Sequence, residues 1–165
     1  MNVVLQSSSV RIIGGEFVIS SNTSSATAFL TSLSNSGWYN SSLTVEAMVI
    51  SVIGVFPVVL KFEAYGGASS GSVTSFRNVT AIFTVIPGMT LPASFVVVRN
   101  NGFVSGFSSG VVLTNCSMVA TSSAMTGITV LWKHVVSTYS GFLVLNQVHL
   151  QLTSSGPVHV IRAAS

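Results

Sequence analysis

An all-β sandwich or barrel is the fold class that this sequence predicts, and three observations predict it. Val, Ile, Thr and Phe dominate the chain, Gly, Ser, Asn and Pro clusters interrupt it at short intervals, and no run of good helix formers exceeds a turn or two. At 165 residues the chain is one ordinary domain, long enough to bury a real core.

Strands are expected near Val10–Ser20, Leu43–Val52, Val58–Tyr65, Ser75–Ile86, Ser94–Arg99, Gly110–Ala120, Gly127–Val136 and Phe142–Leu152, with a short one at Val158–Arg162. Between Thr27 and Tyr39, the residues Phe29, Leu30, Leu33 and Trp38 suit a helical turn or an extended crossing. Period-two alternation marks Val58–Tyr65, where Leu60, Phe62 and Ala64 share one face and Lys61, Glu63 and Tyr65 the other. In Phe142–Leu152, Val144, Val148, Leu150 and Leu152 share a face opposed partly by Gln147, His149 and Gln151. Phe95–Val98 and Ala47–Val52 are apolar on both faces. Parallel sheets bury strands in this way, but with no helices to cover them the cover is expected from another sheet or another subunit. Loops are expected at the Ser/Gly/Asn-rich stretches 20–25, 66–72, 100–110 and 153–156. No internal repeat of fixed period is evident.

Composition excludes several classes. Charged residues are 5% of the chain against about 25% in an average soluble domain, hydrophobic residues are 48%, and there is no Asp. The mean hydropathy is +0.73. Disordered chains and long exposed helices both need charges that this chain lacks. The formal charge of +3 rests on nine groups: Glu16, Glu46 and Glu63 against Arg11, Lys61, Arg77, Arg99, Lys133 and Arg162. That is mild polarity, not a basic patch. The longest apolar run, Ala47–Leu60, is too short for a spanning helix and holds Gly54 and Pro57, where two strands would meet at a turn. The amino terminus lacks a secretory pattern. Cys116 is the sole cysteine and reads as a small buried apolar residue. Four Asn-X-Ser/Thr sequons, at Asn22, Asn40, Asn78 and Asn115, are expected by chance in so Ser/Thr-rich a chain.

Signals for chemistry are few. His134, His149 and His159 are scattered without metal-ligand spacing, and no cofactor is implied. There is no Gly-X-Ser-X-Gly elbow. Glu46 and Glu63, on neighbouring predicted strands, could face one cleft as paired carboxylates or could each balance a base. GGASSGS, residues 66–72, lacks the Gly-Lys-Ser/Thr of a phosphate loop. Leu131-Trp132-Lys133-His134 could contact a phosphate and stack a base, or form a strand edge with Trp132 buried. With no acids expected near Arg77 and Arg99, an anion-facing surface there is open. An enzyme is the weakest reading.

Arg11-Ile-Ile-Gly-Gly-Glu-Phe-Val18, followed by the apolar anchors Phe29 and Leu33, Trp38-Tyr39 and a strand pair around Gly54-Val-Phe-Pro57, resembles the opening of single jelly-roll coat proteins of small icosahedral RNA viruses. The resemblance covers roughly the first 65 residues; beyond them only strand count and loop character match. The chain's size is similar to that of satellite-virus coat proteins. The resemblance implies an eight-stranded antiparallel jelly-roll β-sandwich over residues 1–165, lacking the family's basic amino-terminal arm. It further implies a self-assembling, non-enzymatic capsid protein in a virion assembled in the host cytoplasm, a shell of sixty copies, and packaged RNA met by Lys133, His134, Arg77, Arg99 and Arg11.

Physics points the same way on self-association. A surface of Ser, Thr, Asn, Gly and surplus apolar residues is expected to be buried against other copies. Trp38, Tyr39, Phe103 and Phe107, in loop-like stretches, are the candidate interface anchors, or else pack inward. Two alternatives are an oligomeric lectin-like or tumour-necrosis-factor-like binding module, and an eight-stranded outer-membrane barrel.

Overall fold

The computed structural model describes residues 4–22, 25–34, 37–65, 68–86, 93–100, 102–107, 110–122, 126–129, 135–137, 142–154 and 158–162. Twenty strands occupy them, and no helix is present among the described residues. They fall into five successive coils of four. The first coil is β1 (Val4–Gln6), β2 (Ser9–Ile13), β3 (Glu16–Ser20) and β4 (Ser25–Ser34). The second is β5 (Gly37–Tyr39), β6 (Ser42–Glu46), β7 (Val49–Gly54) and β8 (Phe56–Tyr65). The third is β9 (Ala68–Ser70), β10 (Val73–Arg77), β11 (Thr80–Val85) and β12 (Ala93–Asn100). The fourth is β13 (Gly102–Phe107), β14 (Gly110–Thr114), β15 (Ser117–Ser122) and β16 (Thr126–Thr129). The fifth is β17 (Val135–Ser137), β18 (Phe142–Asn146), β19 (His149–Ser154) and β20 (Val158–Arg162).

Each strand pairs in parallel with the strand four places later. The result is four five-stranded sheets: β1-β5-β9-β13-β17, β2-β6-β10-β14-β18, β3-β7-β11-β15-β19 and β4-β8-β12-β16-β20. This is a parallel β-solenoid, and it overturns the expected antiparallel jelly roll. The antiparallel lectin-like sandwich and the antiparallel barrel do not describe these sheets either.

The physical reason for the difference lies at the corners. Val10–Ser20, Leu43–Val52, Ser75–Ile86, Gly110–Ala120 and Phe142–Leu152, each expected as one strand, are each two strands bent around a left-handed residue, followed in the first by a second, Gly15 (φ 97). Gly14 (φ 72), Ala47 (φ 54), Asn78 (φ 53), Asn115 (φ 50) and Gln147 (φ 53) stack at that corner. A second corner stacks Ser7 (φ 52), Asn40 (φ 48) and Gly71 (φ 62) before β2, β6 and β10. One left-handed residue redirects the chain without reversing it, so the next segment enters a different sheet instead of folding back as a hairpin. The segment 27–39, read as a helical turn or crossing, is the end of β4 followed by β5.

Register makes each interior position a column. Ile12, Val45, Phe76, Leu113 and Leu145 form one; Phe17, Ile50, Ala81, Met118 and Leu150 another; Ile19, Val52, Phe83, Ala120 and Leu152 a third. Beside the corner, Met48, Val79, Cys116 and Val148 complete the core. In the three middle coils these residues are buried. Self-stacking is how a parallel sheet is covered here without helices. In β8, expected to alternate, consecutive Val58, Val59 and Leu60 are all fully buried, and β8 touches both β11 and β13; Ala47–Val52, expected to be covered on both faces, instead leaves Ala47 and Val49 exposed.

Buried polar atoms on the inner side of the other corner are bonded along the stack. The Ser8 N–H donates to Ser41 Oγ (3.2 Å), the Ser41 N–H donates to Ser72 Oγ (3.3 Å), and the Ser41 hydroxyl donates to the Tyr39 carbonyl (2.8 Å). Such bonds remove most of the cost of burying Ser41 and Ser72.

Candidate interaction surface

The outward face of β2-β6-β10-β14-β18 carries two of the expected nucleic-acid-binding cations, and both lie beside an acid. Arg11 on β2 donates from Nη2 to Glu46 Oε2 on β6 at 2.6 Å, the ion pair recorded among the described residues. Arg77 on β10 stands in register with Glu46 from the other side. The order across the sheet is therefore Arg11, Glu46, Arg77. The Arg11 hydrogen bond, which outweighs the opposing effect of desolvation, holds the Glu46 carboxyl below its ordinary range, and the charges of Arg11 and Arg77 add to it.

The anion-facing surface expected around Arg77 and Arg99 had assumed that no acids lay near them, and the pairing corrects that. Arg99 lies on β12 in a different sheet, in register with Glu63 of β8. Parallel stacking places residues some thirty positions apart side by side, so acids distant in sequence become the neighbours of these bases. The same registers separate Glu46 from Glu63, whose strands belong to different sheets. Lys133 and His134 lie outside the described residues.

Trp38, Tyr39, Phe103 and Phe107 were expected in loops; they lie in strands. Trp38 and Tyr39 belong to β5, and Phe103 and Phe107 to β13, of one sheet. Tyr39, Ser70 and Phe107 share a column across β5, β9 and β13, with Tyr39 half-buried. Glycine- and serine-rich sequence reads as loop when the strand is short and its partner is remote.

His149 and His159 fall on β19 and β20, in different sheets. No group of three or more His, Cys, Asp or Glu side chains suited to a metal occurs among the described residues. Cys116 is buried, with Sγ 3.4 Å from the carbonyl oxygens of Phe76 and Thr114, and burial pushes its thiol pKa up. A thiol so placed is a poor nucleophile. No described helix is long and apolar enough to cross a membrane.

The sequence reading missed the column of corner residues and the exposed first coil. Asn115 Nδ2 donates to Asn78 Oδ1 at 2.8 Å, so two sequons regarded as chance are rungs of one asparagine ladder. Beside them the Ser117 hydroxyl donates to Thr80 Oγ1 at 3.1 Å. The signal was present in Phe76-Arg-Asn-Val-Thr80, Leu113-Thr-Asn-Cys-Ser117 and Leu145-Asn-Gln-Val-His149, which superpose residue by residue.

Apolar exposure concentrates at the first coil. Val10 is 53% exposed, Ile13 60%, Phe17 37% and Val18 58%. Val10 and Phe17 belong to columns whose members in the third and fourth coils, Thr74 and Val111, Ala81 and Met118, are buried. No family model, curated protein or solved structure matches the chain.

Proposed function

We propose that the chain is a structural protein that acts by associating with copies of itself and carries out no catalysis. The observation that carries this reading is the first coil, whose core-column residues Val10 and Phe17 are exposed beside exposed Ile13 and Val18. Apolar side chains left exposed together on one end coil favour association. With 5% charged residues, the rest of the surface has little means of keeping molecules apart. The closed sixty-copy shell, the virion and the packaged RNA are not part of this proposal, because they came with a jelly roll and the sheets are parallel. Sedimentation velocity on the 165-residue chain at micromolar concentration tests the reading. Oligomers in neutral buffer at moderate salt are expected; a sharp monomer boundary at every concentration refutes self-association.

A further inference from the structure

Resting on the self-association reading, we infer that the partner is a second copy docked end to end, its first coil stacked on the fifth coil of its neighbour in continuous parallel register. Three features of the two end coils point to this occupant and this geometry.

First, the backbone ladder is directional and repeats. At the corner, the N–H groups of Gly14, Ala47, Asn78 and Asn115 donate to the carbonyls of Glu46, Arg77, Thr114 and Asn146 in the following coil. Two residues on, the N–H groups of Val49, Thr80, Ser117 and His149 donate back to Gly15, Met48, Val79 and Cys116. One further step of this repeat sends the Gln147 N–H to Ile13 of a second copy and brings that copy's Glu16 N–H to the Val148 carbonyl. Among the described residues no strand lies beyond β2 and β3 on one side or β18 and β19 on the other.

Second, the side-chain columns continue across the joint. Leu145, Leu150 and Leu152, half-buried in the fifth coil, come over Ile12, Phe17 and Ile19 of the first. Outside, His149 comes over Glu16, a base over an acid, while Val144 and Asn146 come over Arg11 and Ile13 with no like-charge contact.

Third, in two of the four sheets these edges lack the lysines, prolines and bulges that keep sheets apart, whereas β17 and β20 of the fifth coil pair with register shifts. Soluble β-proteins blunt their edges with lysine, proline or bulges. β2, β3, β18 and β19 contain no lysine and no proline, and their pairings to the next coil are regular. The contact is heterologous and displaces each copy along the stacking axis without closing, so it generates an open filament and not a ring. Five coils at strand spacing add about 24 Å of length per copy.

The test is a charge exchange across the joint on the full chain, followed by sedimentation velocity and electron microscopy. His149→Glu places a carboxylate over Glu16 and is expected to weaken association roughly tenfold. Adding Glu16→Lys to it is expected to restore association. Both positions face outward, and circular dichroism reports whether each variant folds. Ile82→Lys, on the outer face of β11 away from both ends, is expected to leave association unchanged. Wild-type filaments should diffract at about 4.7–4.8 Å along their axis. Oligomers that dissolve on Ile82→Lys and ignore His149→Glu associate side by side, which overturns the end-to-end inference and leaves the self-association reading standing. Failure of Glu16→Lys to rescue His149→Glu also overturns it. A monomeric wild type overturns both.

Discussion

Ala47, like Gln147 in the same column, adopts a left-handed backbone without being glycine or asparagine. Gly14 has no side chain to clash, and Asn78 and Asn115 tolerate the conformation and bond to one another. Alanine at φ 54 carries a steric cost of about 1–2 kcal/mol and contributes no rung. Ala47→Asn is therefore expected to recover part of that cost, about 0.5 kcal/mol, because asparagine visits this region more readily. It should also let a new amide bond to Asn78, worth about 0.5 kcal/mol at an exposed site. The sum, about 1 kcal/mol, corresponds to roughly 2–4 °C in Tm for a chain of this size. Ala47→Gly separates the two contributions: it relieves the backbone but adds no bond, and its greater freedom when unfolded offsets part of the gain. Urea melts followed by circular dichroism measure both variants, with the m value showing whether the unfolded state has changed. An Ala47→Asn variant no more stable than wild type, with Ala47→Gly more stable, would refute the ladder; a loss in both would refute the corner.

The remaining predictions address other positions. Gly71→Ala forces a Cβ into Asn40 Oδ1 at φ +62 and is expected to lower stability by about 1–3 kcal/mol in the same melts; an unchanged midpoint would mean the second corner is wrongly placed. Phe76→Ala, in the fully buried central column, is expected to cost about 3–5 kcal/mol, whereas Ile82→Ser on the outer face should stay within about 0.5 kcal/mol; equal effects would contradict the inward and outward assignment. Cys116 should resist a thiol reagent in native buffer and react fully in denaturant, and rapid native labelling would place it outside the core. Glu46 titrates below its unfolded value in the folded chain, so its pairing stabilises fully above the ordinary carboxylate range and is lost as pH falls through the lower folded value. Arg11→Gln should move the Glu46 carboxyl resonance midpoint back toward the ordinary range, and no movement would remove the ion pair.

The residues of this chain determine its strands by themselves. Val, Ile, Thr and Phe in alternation make extended segments, and the scarcity of charges and of runs of helix formers leaves no other regular structure, so eight of the nine expected strands fall on strands or on pairs of strands, while residues 130–134 of the ninth, Gly127–Val136, lie outside the described residues. They determine the scarcity of site chemistry as well, because three acids and three histidines offer little from which to assemble one. Partnership was decided only in three dimensions. Alternation in β6 says that Val45 points inward, but it cannot say whether Phe76 lies beside it or across a sandwich from it. The corner residues Asn78 and Asn115 are equally suited to a hairpin turn, so the bend that keeps the chain advancing looks in sequence like the bend that reverses it. Columns such as Ser9, Ser42, Val73, Gly110 and Phe142 advance by 31 to 37 residues per coil, which blurs any fixed period. The neighbours of each charge followed from that stacking: Glu46 met Arg11 and Arg77 because backbone hydrogen bonds set the register, and the side chains had to accept the company it gave them.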